Sequence, residues 1–452
     1  MRNRAEWTDG IISALKWLGM EPDEGPFFQS DQAEAHTAAI EALWESGALY
    51  ACGCTREEID GRTRERAAAG DPTPGYDGHC RDLGLARGDG RALRFRTPDG
   101  GALVVGDLVR GEVEFPRRAL DDFICVRGDG KPLFVLANAV DDRTMAITHV
   151  IRGEDLLPTA PKQVMLWAAL NEATQSDIAL PTYAHLPLLV NERGKKLSKR
   201  RDPVAVEMYR EQGYLPAAFR NYLALLGWNP GEEEIVPLDT LVEKFRLEDV
   251  QRSPAFFDVA KLSHMNGVYI RQLPVADFIA ASRPWVDPQP GEWQPGGWRN
   301  PETGEPVVSG PPWAAGRFDA GVFSRLAPLS QERVAVLGEV PDLVDFAFAE
   351  DAPMEEASWQ RAIGKDDAAP KILAEARTVY ATCEWNVGEL HRVTLAVAEA
   401  MGRKLGKAQA PIRVAVLGKD RGLPLFDSLE ILGRQETQRR IGTALDRVTT
   451  DT

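Results

Sequence analysis

Apolar residues recur at helical spacing near the start of the chain, at Trp7, Ile11, Leu15 and Leu18, and the pattern stops at Gly19, a residue suited to end a helix. A connection from Met20 to Ser30 leads to a second predicted helix, with Asp31 as cap, Glu34 three residues on, then Ile40, Leu43 and Trp44, ending at Gly47. A charged, helix-like stretch runs from Thr55 to Ala69. From Ala102 to Arg127 the period falls to two. Leu103-Val104-Val105, Gly111 to Phe115 and Phe123 to Arg127, followed by Gly128-Asp129-Gly130, read as a small antiparallel sheet.

An α/β pattern comes next. A buried strand from Met145 to Ile151 feeds the polar corner Arg152-Gly153-Glu154-Asp155, and a helix starts near Thr159, with Pro161 tolerated in its first turn. A second strand, Tyr183 to Val190, ends in Asn191-Glu192-Arg193-Gly194. Ligands of open parallel sheets sit beyond the carboxyl ends of the strands, so both strands deliver charged residues to one edge. Beyond Asp202 the pattern is helical, through Val206, Tyr209, Leu215, Phe219, Leu223 and Leu226, with a break at Gly227 to Gly231. The Pro-, Gly- and Trp-rich stretch from Trp285 to Pro312 marks a domain boundary, and Val387 to Met401 and Glu436 to Val448 belong to a helical bundle. There is no internal repeat.

Length adds that 452 residues exceed one core and suit roughly three or four modules. No apolar run is long enough for a membrane span, and Met1 to Trp7 has no signal-peptide core, so a cytoplasmic location is expected. The net charge of -15 argues against indiscriminate binding to nucleic acid or anionic membrane, but it leaves room for a local basic surface. Between Arg403 and Arg440, nine cations face four anions, which predicts such a surface near the C-terminus.

Five cysteines in this length make no disulfide scaffold, and Cys52, Cys54 and Cys80 cluster in a way that favours a metal. Two ligands one residue apart and a third beyond a helical excursion suit a zinc knuckle, with Tyr76, Asp82 and His79 near enough to supply a fourth. The plainer reading is three reduced cysteines packed as small hydrophobes. A second anomaly is Gly194 to Arg201, which places five cations and Ser198 within eight residues of an acidic chain. Ser198 and Lys199 can present a hydroxyl and an ammonium to the same phosphate oxygens; otherwise the run is a solvated loop.

The order Cys-x-Cys, Tyr-Asp-Gly-x-Cys-Arg-Asp, Val140-Asp141-Asp142, Ile147 to Asp155, then Lys196-Leu197-Ser198-Lys199-Arg200, closely resembles bacterial glutamyl-tRNA synthetases. The likeness continues through Gly213 to Pro216, Asn221 to Trp228, Ser253 to Asp258 and Pro424 to Glu430, and so spans essentially the whole chain. It implies an α/β plus all-α architecture of the class I synthetase type. Residues 1–48 and 131–190 would form the Rossmann catalytic domain, 49–130 an α+β acceptor-stem-binding insertion with the zinc knuckle, 191–284 a helical stem-contact domain with the Lys-Leu-Ser-Lys-Arg loop, and 285–452 a helical anticodon-binding domain.

The implied activity is ATP-dependent activation of L-glutamate, with Mg²⁺, and its transfer to the 3′ end of tRNA(Glu), with tRNA(Gln) as an open second substrate. A monomer is expected. Carried over by position, Lys196, Ser198 and Lys199 would be catalytic, and Lys199 and Glu154 would meet ATP. Phe134, Asn138, Arg152 and Asp155 would surround the glutamate, with Phe134 replacing a tyrosine common in the family. Cys52, Cys54 and Cys80 match zinc cysteines found in part of the family, with Tyr76 nearby and Asp82 at a place often held by another ligand. The family's His-x-Gly-His signature is not in the sequence, and Met1 aligns inside the family pattern. About forty to fifty further residues, one βα unit and a strand, are therefore expected upstream. The alternative is a short paralogue that binds tRNA without adenylation.

Overall fold

The computed structural model describes residues 5–71, 75–88, 90–197, 205–290, 293–297, 299, 308, 310–314 and 316–451. Contacts divide the chain into one unit of Glu21–Lys196 with Ala224–Phe257, and another of Met1–Met20, Leu197–Leu223 and Asp258–Thr452.

All the described strands belong to the first of these units. In chain order they are β1 (Leu49–Cys52), β2 (Ala92–Phe95), β3 (Leu103–Asp107), β4 (Gly111–Phe115), β5 (Ile124–Val126), β6 (His149–Gly153), β7 (Thr182–Leu186), β8 (Leu189–Val190) and β9 (Ala255–Phe256). The helix Ala160–Ala173 joins β6 to β7 as a parallel βαβ crossover, paired from His149↔Thr182 to Gly153↔Leu186. On the far side of β7 lies β3, parallel to it through Asp107↔Tyr183, and β4 closes the order β4-β3-β7-β6. The carboxyl ends of β3, β6 and β7 therefore meet along one edge, where the polar corner Arg152 to Asp155 emerges.

This topology corrects the single antiparallel sheet expected over 102–127. β3 and β4 do pair antiparallel, but they belong to the β6–β7 sheet, whereas β5 pairs with β2 beside β1. The chain turns at Arg117–Ala119, and the buried Leu120, Phe123 and Cys125 carry it into a different core with Leu43, Leu93, Leu136 and Leu166. Burial of those side chains outweighs the tendency of consecutive strands to be neighbours.

Two strand limits also move. Met145 still caps the helix Phe134–Thr144, and Ala146 takes a left-handed turn (φ 52°) before β6 begins at His149. The expected strand Tyr183 to Val190 is broken at Pro187, which has no N–H to offer the ladder. Asp31 does not cap the second helix. A short 3₁₀ turn, Gln29–Gln32, precedes the helix Ala33–Glu45, which starts without a side-chain cap. The charged stretch at 55–69 does fold as Arg56–Ala68, started by a capping box in which Thr55 N–H donates to Glu58 at 2.8 Å and Glu58 N–H donates to the Thr55 hydroxyl at 3.3 Å.

In its described residues the other unit is helical, around a core that includes Phe278, Phe323, Val340, Ile372, Tyr380, Leu390, Ile412, Leu429 and Ile441. Trp285, at the expected domain boundary, lies in this core, its indole N–H donating to the Glu211 carbonyl at 2.9 Å. The predicted C-terminal helices are Val387–Ala400, capped by Asn386, and Arg434–Asp451. Several cations of the expected basic surface are engaged within the fold, although Arg403 and Arg439 stay part-exposed. Arg403 pairs with Asp366 (2.6 Å), Lys419 with Asp345 (2.5 Å) and Arg439 with Asp351 (2.8 Å). Arg413 and the buried Arg440 donate to the carbonyls of Leu423 and Val416. Counting charges along the sequence ignored Asp345, Asp351 and Asp366, which lie outside the counted stretch.

Candidate active site

Arg152 is the fourth residue of β6, in register with His185 on β7, and Tyr183 shares the His185 face two residues earlier. The consequence is a layered arrangement. The imidazole of His185 and the ring of Tyr183 stack with centroids 6.0 Å apart and planes 12° from parallel, and the Arg152 guanidinium lies 5.5 Å from the Tyr183 centroid. Arg152 Nε donates to His185 Nε2 at 3.1 Å. Its two terminal nitrogens, Nη1 and Nη2, are buried and have no hydrogen-bond partner among the described residues. A planar fork with two free parallel donors fits a carboxylate. Burial lowers the Arg152 pKa, with Asp142 and Asp107 among the charges opposing that shift, but a guanidinium stays charged under any ordinary condition.

Below the fork, His185 Nδ1 is 2.6 Å from Asp107 Oδ2, and both side chains are fully buried. Asp107 also accepts the backbone N–H of Val109 (3.0 Å), Arg110 (2.8 Å) and His185 (3.0 Å). Burial works against its ionisation, but these donors and the imidazole together hold the carboxyl below its ordinary range. Beside the fork, Asn138 donates to Asp142 at 3.1 Å and accepts from Gln163 at 2.9 Å, so its amide is oriented from both sides. Burial raises the Asp142 carboxyl above its ordinary range.

The remaining expected site residues fall in distinct places. Glu154 pairs with Arg110 and accepts weakly from Leu188 N–H at 3.4 Å. Asp155 and Lys196 pair with each other at 2.7 Å, about half exposed. Lys196 is carried there by a tight return in which Asn191 Oδ1 accepts from the N–H groups of Arg193 and Lys195. Gly194 provides the left-handed turn (φ 67°). Phe134 opens the helix Phe134–Thr144 and is exposed. Ser198 and Lys199 lie outside the described residues. Asp107, His185, Tyr183 and Arg110 were not anticipated. Period-two spacing would have put Tyr183 and His185 on one face, but nothing local signalled Asp107, which is 78 residues from His185.

The cysteines do converge. The sulfurs of Cys52, Cys54 and Cys80 all lie within 4.8 Å of one another, and the Tyr76 hydroxyl is 3.5 Å from Cys52 and 3.9 Å from Cys54. Burial opposes ionisation of Cys52, yet hydrogen bonds from Tyr76 and Arg94 bring its pKa down to about 7. Cys54, in contrast, is pushed up to about 11, by burial and by its contact with Cys80. Three thiols on one point with a phenol beside them fit a thiophilic ion such as zinc. Asp82 stands apart, exposed and paired with Arg96 at 2.9 Å.

Residues 1–264 match the family described as tRNA synthetases class I (E and Q), catalytic domain, and residues 305–445 match the anticodon binding domain family. A glutamate–tRNA ligase of Frankia casuarinae is 51% identical over 451 residues, covering 99% of this chain and 89% of that relative.

This chain belongs to the bacterial glutamate–tRNA ligase family.

The glutamate–tRNA ligase of Thermobifida fusca is 47% identical, with 99% of this chain and 88% of that relative covered. Among solved structures, a glutamate tRNA ligase from Elizabethkingia meningosepticum in complex with its amino acid superposes with a TM-score of 0.76 at 26% identity, covering 99% of this chain and 90% of that one. The class I catalytic and anticodon-binding architecture expected from the motifs is thus the architecture of the chain. No helix among the described residues is long and apolar enough to cross a membrane.

Proposed function

We propose that this chain is a glutamate–tRNA ligase that activates L-glutamate with ATP and transfers it to the 3′ end of tRNA(Glu). The observation that carries the reading is the buried Arg152 fork, with two donors that have no partner among the described residues, at the carboxyl ends of the parallel strands β3, β7 and β6. Such a group is costly to leave unsatisfied, and a substrate carboxylate satisfies it. In activation, a glutamate carboxylate oxygen attacks the α-phosphorus of ATP as the bond to pyrophosphate breaks. The terminal ribose hydroxyl of the tRNA then attacks the carbonyl and releases AMP. Neither step needs a protein nucleophile, so the residues act by alignment and charge neutralisation.

Arg152 and Asn138 orient glutamate, with Phe134 and Asp155 at its margin. Glu154 serves the ATP side through its grip on Arg110. Lys196, Ser198 and Lys199 face the phosphates, and Lys196 exchanges Asp155 for them when ATP enters. Mg²⁺, bound with ATP, supplies further neutralisation of the pyrophosphate charge. Cys52, Cys54, Cys80 and Tyr76 hold a structural zinc that ties β1 to the segment around Cys80. The working form is a cytoplasmic monomer, and the anticodon-binding part decides between tRNA(Glu) and tRNA(Gln). The four modules 1–48 with 131–190, 49–130, 191–284 and 285–452 divide this labour, the second lending β3 and β4 to the sheet of the first. Glutamate-dependent ATP–pyrophosphate exchange in the presence of tRNA tests the reading. Exchange with glutamate and not with aspartate is expected; tRNA binding without any exchange would overturn it.

A further inference from the structure

Arginine carries a long side chain with many rotamers, so a fork that binds a carboxylate well must be held before the ligand arrives. The tethers are visible here. Among the described residues, Arg152 Nε is the one guanidinium nitrogen with a partner, and that partner is His185 Nε2, which accepts at 3.1 Å. An imidazole nitrogen that accepts has no proton, so the ring proton is on Nδ1, directed at Asp107 Oδ2 2.6 Å away. Asp107 is in turn locked by the N–H groups of Val109, Arg110 and His185. Protonated His185 would set an N–H against the Arg152 N–H and add a second positive charge beside it. Burial disfavours that form, lowering the His185 pKa although Asp107 pulls the other way.

We propose that Asp107 and His185 are positioning residues of this ligase, a buried relay that fixes the imidazole tautomer and thereby aims the Arg152 fork at a carboxylate of glutamate. The relay rests on the reading of Arg152 given above. It crosses three strands, from β3 through β7 to β6.

The experiment is a double-mutant cycle read by ATP–pyrophosphate exchange with tRNA present, with separate KM values for glutamate and ATP and a thermal midpoint for each variant. Arg152→Gln tests the underlying reading, and an unchanged KM for glutamate there removes the reading and the relay together. Given a working Arg152, His185→Leu is expected to raise the KM for glutamate by roughly tenfold while the KM for ATP moves less than about twofold. His185→Gln, whose carbonyl can accept from Nε, restores most of the loss. Asp107→Asn, which is isosteric, raises the glutamate KM in the same way by favouring the wrong tautomer. In an Arg152→Lys background there is no Nε to aim, so His185→Leu adds nothing further. If His185→Leu raises both KM values equally, adds its full effect on top of Arg152→Lys, or lowers only the thermal midpoint, the relay is overturned. Should His185→Leu fail to fold, Asp107→Asn decides alone: equal effects on both substrates overturn the relay, a glutamate-only effect upholds it.

Discussion

Arg152→Lys keeps the positive charge at the end of β6 and removes the fork, which makes it the sharpest probe of the site. In the native side chain, Nε is engaged by His185 while Nη1 and Nη2 are buried and have no partner among the described residues, so a carboxylate gains two parallel charge-assisted hydrogen bonds without breaking any of those described. A lysine ammonium at the end of a flexible stem keeps one of these contacts and leaves His185 Nε2 without its donor. Hydrogen bonds involving a charged group are worth about 1.5–3 kcal/mol each. Loss of one therefore lowers kcat/KM for glutamate by about 10- to 150-fold. The assay is glutamate-dependent ATP–pyrophosphate exchange with saturating tRNA, with glutamate varied at fixed ATP and then the reverse. The loss should fall on the KM for glutamate, because the contact is already made in the ground state. A glutamate KM within twofold of wild type would refute the assignment, since a half-exposed surface arginine behaves that way and a ligand fork does not.

Three other outcomes are expected. Lys199→Ala should slow adenylate formation by at least about tenfold without moving the thermal midpoint, as one lost phosphate contact is worth over ~1 kcal/mol; unchanged pre-steady-state activation excludes the role. Elemental analysis should find about one zinc per chain, lost in Cys80→Ser with a lower thermal midpoint and retained in Asp82→Asn; zinc-free protein of native stability would favour packed thiols instead. Acid should destabilise the fold in two stages. His185 has a lowered native pKa, so the unfolded chain takes up a proton near pH 6.5 before the native one does, and the midpoint falls as pH drops below about 6.5. Asp107, also held low, adds stability that is complete above about pH 4 and lost as pH falls through its native value. His185→Gln should flatten the first stage only, and an unaltered profile would show that His185 titrates normally.

Local signals in the sequence carried the helices and the edge of the site. Helical spacing and Gly19 mark the first helix, and the charged run from Thr55 to Ala69 is legible as a helix, but the strand leading into Arg152, expected to be buried, is the edge strand β6 with Ile151 half exposed. The same signals failed where pairing is decided at long range. Strand signals over 102–127 look like neighbours along the chain, yet β5 leaves for another sheet because Leu120, Phe123 and Cys125 find a better core there. The nine cations between Arg403 and Arg440 look like a surface until Asp345, Asp351 and Asp366 claim three of them.

Asp107 shows why the supporting part of an active site is the least legible. Alone it is an aspartate at the end of a strand, with the turn-forming Gly111 four residues on, and the ordinary inference is a solvated turn. Its meaning comes from one parallel pair, Asp107↔Tyr183, which brings β3 alongside β7 and sets the carboxylate under His185. Slip that register by one residue and the side chain moves to the other face of the sheet, leaving His185 buried with no acceptor for Nδ1. The recognition of a carboxylate by Arg152 is thus written partly in the pairing of two strands that are distant in sequence. A proline at Leu108, which removes the N–H that the Tyr183 carbonyl accepts at 2.9 Å and so weakens β3 against β7, should accordingly impair glutamate binding while every residue that touches glutamate is still in place.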